Sequence, residues 1–206
     1  MCKDYSSWQK LNDARLGRTE AEIQQRMKAA KVHFQFVCEL YKMQLESGRY
    51  FLHEHPDQAS SWELQCIQTL LRCPDVKRIV GDQCQYGQET EGGAPVRKPT
   101  GWMANSEYIL QALGKRCEGR DGLCSRPKGA RHEQCSGKVA RQAAVYPFAV
   151  CNWILQGIRD QLSHDRKLIQ GIHAILPDVS FAMDEDYSED YILGREDESA
   201  EEFVVG

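Results

Sequence analysis

The order of elements between Thr19 and Asp82 limits what this chain can fold into more than any other feature. Thr19 with Glu22 three residues later makes a capping box, and Ile23, Met27, Ala30, Phe34, Val37, Tyr41 and Leu45 recur at helical spacing. Gly48 stands where a C-terminal cap belongs, so the spacing predicts one long helix over 19–47. Arg49 to Leu52 then reads as a short strand that Pro56 stops. Ser60 or Ser61 can cap a second helix over 62–72, closed by Pro74, and Val76 to Asp82 reads as a second strand. Strand, helix, strand in this order implies a right-handed crossover and a parallel pair.

A strand ending at Leu52 puts His53, Glu54 and His55 on the turn beyond its carboxyl end. In open α/β sheets ligands bind at that edge. A carboxylate between two imidazoles can titrate usefully, because each neighbour moves the others' proton affinity. The plainer reading is a polar turn after a buried strand.

The flanking segments read less clearly. Met1 to Asn12 shows no period and is expected to be a loop. Gln88 to Pro95 is rich in Gly and Glu and is expected to be flexible; Val96 to Ala104 returns as a strand that Pro99 should keep at an edge or bulge. Ser106 starts a helix to about Leu113, and residues 139–162 are helical in pattern with a break near Pro147. Four regions follow: an α/β layer over 1–114, a basic Cys/His loop over 115–141, a helical segment over 142–183 and an acidic tail over 184–206. The tail carries ten acids against one base, which predicts disorder and leaves residues 1–183 at +5 within a net charge of −4.

No apolar run approaches the roughly 20 residues that span a bilayer, and the N-terminus lacks the apolar core of an export signal. The nine cysteines are scattered and odd in number, so they read as reduced thiols of an intracellular protein, nuclear or cytoplasmic. Some of them have metal-ligand spacing. In the basic loop, with eight Lys or Arg against three acids, Cys117, Cys124, His132 and Cys135 form a candidate zinc set. The two-residue gap between His132 and Cys135 suits one turn, and Gly119, Gly122 and Gly129 let the loop close on an ion. The alternative is ordinary thiols in a solvated loop.

A second constellation is Asp82-Gln-Cys-Gln-Tyr-Gly87 followed by Pro95 to Asn105. There Arg97 and Lys98 are candidates for phosphate contacts and Trp102 for stacking on a base, with a core role for Trp102 as the alternative. A nucleic acid is the partner these residues suggest.

Four stretches resemble, in order, the later two-thirds of cytosine-C5 DNA methyltransferases, most of all the divergent form found in some phages and in retroelement polyproteins. They are Cys2 with Tyr5 to Asn12, Glu54-His55-Pro56, Tyr86-Gly87 with Pro95 to Lys98, and Ala143 to Ala149. The resemblance implies a partial Rossmann-like methyltransferase fold, with a parallel sheet lacking the first cofactor-binding strands. It implies Cys2 as the nucleophile that adds to cytosine C6 and Glu54 as the acid at the ring nitrogen, acting on a base flipped from the duplex. It also implies DNA as the partner and S-adenosylmethionine as methyl donor, yet the family's Gly-rich donor loop would fall before residue 1. Met1 replaces the family's proline, and His55 its asparagine.

The expectation is therefore a truncated, catalytically inactive methyltransferase-like domain of mobile-element origin. Two alternatives stay open: a nucleic-acid-binding module with a zinc-stabilised basic loop, and a methyltransferase half whose donor loop comes from a partner chain or a larger polyprotein.

Overall fold

The computed structural model describes residues 2–165, Lys128 excepted. The readings for the end of the 142–183 segment and for the acidic tail lie outside the described residues.

The long helix, α2 (Glu20–Glu46), forms as its sequence dictates. Both halves of the capping box are present: Glu22 N–H donates to Thr19 Oγ1, and Thr19 N–H donates to the Glu22 carboxylate. At the other end Gly48 takes a left-handed φ of 64°, and Arg49 N–H closes back onto Gln44 O at 2.8 Å. This αL closure satisfies carbonyls that the last turn would otherwise leave unpaired.

The first strand differs from its prediction. β1 runs Leu52–Pro56, so His53, Glu54 and His55 lie within the strand and not on a turn beyond it. His53 and His55 alternate onto the face covered by α2, where they meet Phe34, Tyr41 and Trp62, and Glu54 points to the opposite face. Asp57 N–H bonds to Pro99 O, so the odd-numbered residues of β1 turn their backbone groups towards the neighbouring strand. Pro56 thus presents its missing N–H to the outer edge, where no ladder bond is lost.

The sheet has three strands in the order β1, β3 (Pro99–Ala104), β2 (Lys77–Asp82), and both pairs are antiparallel. β1 and β2 run in the same direction, with helix α3 (Gln65–Leu71) between them in sequence, but they are not paired. The expected parallel sheet is corrected to this antiparallel ladder. The cause lies in β3, whose residues Thr100 to Ala104 are all buried, so it takes the centre that the crossover rule had left to a direct pair. Pro99 is its first residue, and Asp57 O, which the missing N–H of Pro99 leaves without a ladder donor, accepts from Arg78 Nη2 at 2.9 Å.

One layer of helix covers each face. α2 and α3 enclose Phe34, Cys38, Phe51, Trp62, Ile67, Leu70 and Met103. On the other face α4 (Glu107–Leu113) and α6 (Phe148–His164), the latter preceded by the short α5 (Gly137–Gln142), enclose Tyr86, Trp102, Ile109, Leu110, Leu113 and Val150. Ser106 caps α4 by accepting from Ile109 N–H, and Pro147 precedes the first residue of α6. Gly101 admits the Trp62 ring: a Cβ there would stand 2.6 Å from Trp62 Cζ2.

Two further readings need correction. The serines at 60 and 61 do not cap a helix; they open a 3-10 turn, and α3 begins after Leu64 without a side-chain cap. The N-terminal stretch holds a 3-10 turn over Cys2–Tyr5 and a short helix, α1 (Gln9–Arg15). A distant partner holds it there: Asp13 accepts two bonds of 2.8 Å from Arg26 on α2 and one each from Arg18 and Gln9. The Arg26 guanidinium keeps the Asp13 carboxyl well below the usual carboxylate range. Among the described residues no helix is long and apolar enough to cross a membrane.

Candidate metal centre

At the end of β2 the chain makes a 3-10 turn, Gln83–Tyr86, that Gly87 closes with a φ of 88°. This turn carries Cys84 to the foot of the basic loop. Cys117 is fixed from the other side, because its N–H donates to the buried carboxylate of Asp82 at 2.8 Å. The loop then folds into a small hairpin: Cys124 N–H bonds to Ala130 O, and His132 N–H bonds to Gly122 O. Gly119 and Gly129 sit where backbones cross, and a Cβ at either would lie 1.8 or 2.4 Å from a carbonyl oxygen. Glu133 N–H donates to Pro95 O, which ties the hairpin to the connection before β3.

The result is a cluster of Cys84, Cys117, Cys124 and His132, whose ligand atoms all lie within 4.8 Å of one another. The Cys117 and Cys124 sulfurs are 3.9 Å apart, and Cys117 Sγ is 3.5 Å from His132 Nε2. Tetrahedral zinc, with bonds of about 2.3 Å to sulfur and 2.0–2.1 Å to nitrogen, needs separations of about 3.8 and 3.6 Å. The donor set fits the ion. His132 Nδ1 lies 3.0 Å from Gly122 O, a bond that puts the proton on Nδ1 and leaves the Nε2 lone pair for a metal. Gln85 Nε2 donates to both Cys84 and Cys124 sulfurs at 3.6 Å, and Ser125 donates to Cys117 through its N–H and its hydroxyl.

Burial raises the Cys117 thiol, but hydrogen bonds from Ser125 and Gly119 N–H outweigh it and pull the group down to about 6. Burial pushes the Cys84 thiol up to about 12. A bound divalent ion would convert all three thiols to thiolates, so loading releases protons. Four protein ligands leave no open position, which is the arrangement of a structural and not a catalytic zinc.

Three of the four expected ligands are therefore brought together. The fourth is corrected: Cys135 is half-buried outside the cluster, and Cys84 stands in its place. The sequence did carry a signal for Cys84, a cysteine one turn past a strand with a glycine three residues on.

Of the residues expected to meet nucleic acid, Arg97 remains exposed, 3.5 Å from Asp82 Oδ2. Lys98 turns inward: its Nζ donates to Ala143 O and lies over the Tyr146 ring. Trp102 is 2% exposed and belongs to the core against α4 and α6, so it offers no stacking surface. Glu54 lies in β1 directly opposite Trp102, and Cys2 opens the 3-10 turn whose Tyr5 packs on Phe34. That ring contact is on the α2 face of the sheet, the face away from Glu54.

Set against protein-family models, curated proteins and solved structures, the chain finds no match in any of the three.

Proposed function

We propose that this chain is a metal-stapled nucleic-acid-binding module derived from a mobile element, resembling cytosine-C5 methyltransferases in its sequence motifs and not in its sheet, that transfers no methyl group itself. The observation that carries the reading is the Cys3His cluster, which pins an arginine-rich loop to the end of the sheet. Ordering so polar a segment costs chain entropy that its few apolar side chains cannot offset, and a bound ion would supply that stabilisation. Arg116, Arg120 and Arg131 on this loop are exposed. The work of such a module is done inside the cell, in the nucleus or cytoplasm, where thiols stay reduced.

The frame supports the same conclusion. Catalysis of methyl transfer needs a thiolate, an acid and the donor on one rigid edge. Glu54 projects from one sheet face, and the turn bearing Cys2 packs on the other. The test is titration of the zinc-loaded protein into labelled duplex DNA at rising salt. Affinity should fall linearly in the logarithm of salt, and chelation of the metal should abolish it. Binding that ignores both salt and chelator would sink the reading.

One observation favours a second reading, a methyltransferase half completed by another chain that supplies the S-adenosylmethionine loop. β1 is an edge strand, and the backbone groups of Leu52 and Glu54 face outward with no ladder partner among the described residues. An added strand there would place new residues beside Glu54.

A further inference from the structure

We propose that Arg97 and Arg116, held together by the buried carboxylate of Asp82, form a docking fork for the phosphodiester backbone of a nucleic acid. The inference rests on the nucleic-acid reading above and names the site through which it acts. Arg97 comes from the connection before β3, and Arg116 from the segment after α4. Both converge on one oxygen, Asp82 Oδ2: Arg116 Nε at 3.0 Å and Arg97 Nη2 at 3.5 Å. Asp82 itself is fully buried, and Cys117 N–H donates to the same oxygen.

The two guanidiniums are not buried with it. Their side chains stay 41% and 47% exposed: Arg116 is hydrogen-bonded to Asp82 through Nε alone and Arg97 meets it as an ion pair through Nη2, which leaves the other donors of each guanidinium free of Asp82. A guanidinium presents five donors in a plane, enough to hold a carboxylate and a phosphate at once. Fixing the inner edge removes rotamer freedom before a ligand arrives, which lowers the cost of binding.

Charge decides what kind of anion fits. A zinc-loaded Cys3His centre carries one net negative charge, and Asp82 carries another, so the two arginines are balanced by their own frame. The fork thus supplies geometry, and attraction for a polyanion must come from beyond it. Arg120 and Arg131, exposed on the same metal-held loop, form no ion pair among the described residues. An extended chain of phosphates can meet the fork and these outlying charges together. A single phosphate meets only the balanced part.

Opposite signs separate a fork from simple charge attraction. Substituting Asp82→Asn removes a negative charge beside the arginines, so general electrostatics makes binding to DNA tighter. The fork makes it weaker, because the guanidiniums lose their anchor. The experiment measures anisotropy of a labelled DNA duplex with the zinc-loaded full chain, and the metal content of every variant confirms that the centre is intact. Asp82→Asn should weaken binding severalfold. Arg97→Gln should weaken it about tenfold and reduce the salt slope by about one, as loss of one charged phosphate contact requires. Arg116→Lys keeps the charge but not the fork, and should not restore wild-type affinity.

Asp82→Asn binding as tightly as wild type or tighter, with Arg97→Gln unchanged, would overturn the fork while leaving DNA binding in place. Wild-type protein that binds no nucleic acid would remove the underlying reading, and the fork with it. Inorganic phosphate competing as well as the duplex at equal phosphate concentration would overturn the assignment to a polymer backbone.

Discussion

Acidification should unfold this protein through His53 and His55. Both rings are buried against α2, at 6% and 3% exposure, stacked at a centroid distance of 5.4 Å. Tyr41 hydroxyl meets His53 Nδ1 at 3.0 Å; His53 Nε2 and both nitrogens of His55 have no hydrogen-bond partner among the described residues. Desolvation, with the His55 charge adding to it for His53, pushes each ring down to about 4. The unfolded chain takes up these protons near pH 6.5, and the folded chain resists until about pH 4. Stability is therefore intact above about pH 7 and is lost as pH falls through 6.5 towards 4. The loss is about 3 kcal/mol per histidine at full extent, against a total of roughly 5–15 kcal/mol for a domain. No acid from α2, α3 or the Cys2–Tyr5 turn is bonded to either ring; the neighbours are Phe34, Tyr41 and Trp62. Denaturant melts at a series of pH values test this, with His55→Phe as the control that shares any acid loss of metal. Wild type should lose about 1.4 kcal/mol more per pH unit than His55→Phe between pH 6 and 4.5, the weight of one proton. Parallel curves, or a His55 titration near 6.5 by NMR, would refute the argument.

Other outcomes are expected. Thr19→Ala removes one half of the capping box and should cost about 1 kcal/mol in thermal melts, with no change in metal content. Gly101→Ala forces a methyl to within 2.6 Å of Trp62 Cζ2 and should cost about 1–3 kcal/mol, lowering Tm clearly. Arg26→Met should expose residues 9–15 to proteolysis while leaving the metal centre loaded, since Asp13 then loses the partner that anchors α1. Incubation with labelled S-adenosylmethionine and cytosine-containing DNA should give no labelled product; product lost in Cys2→Ser and Glu54→Gln would show that the frame is catalytic.

How much of this was legible depended on how local the cause was. The α2 caps are fixed within a few residues of each helix end, so Thr19, Glu22 and Gly48 could be read directly. Strand pairing was not local. The central place of β3 depends on burial from both faces, which a five-residue run cannot declare. The same holds for α1, whose reason to exist is an ion pair thirteen residues away. The metal set was three-quarters legible because Cys117, Cys124 and His132 share one loop, and the loop carries its own glycines. Cys84 arrives from the end of a strand, so only the sheet brings it near. A tryptophan at 102 reads more often as a core anchor than as a stacking platform, and the central place of β3 makes it the core residue.

The identity of the ligands is the central claim, and metal stoichiometry tests it most directly. Protein purified without chelator should carry one zinc per chain, and the cobalt-substituted form should absorb strongly through three thiolates. Cys84→Ser should lose the metal or bind it far more weakly, and Cys135→Ser should retain it at wild-type stoichiometry. Retention in Cys84→Ser together with loss in Cys135→Ser, or a metal-free wild-type protein that is fully folded, would contradict the centre described.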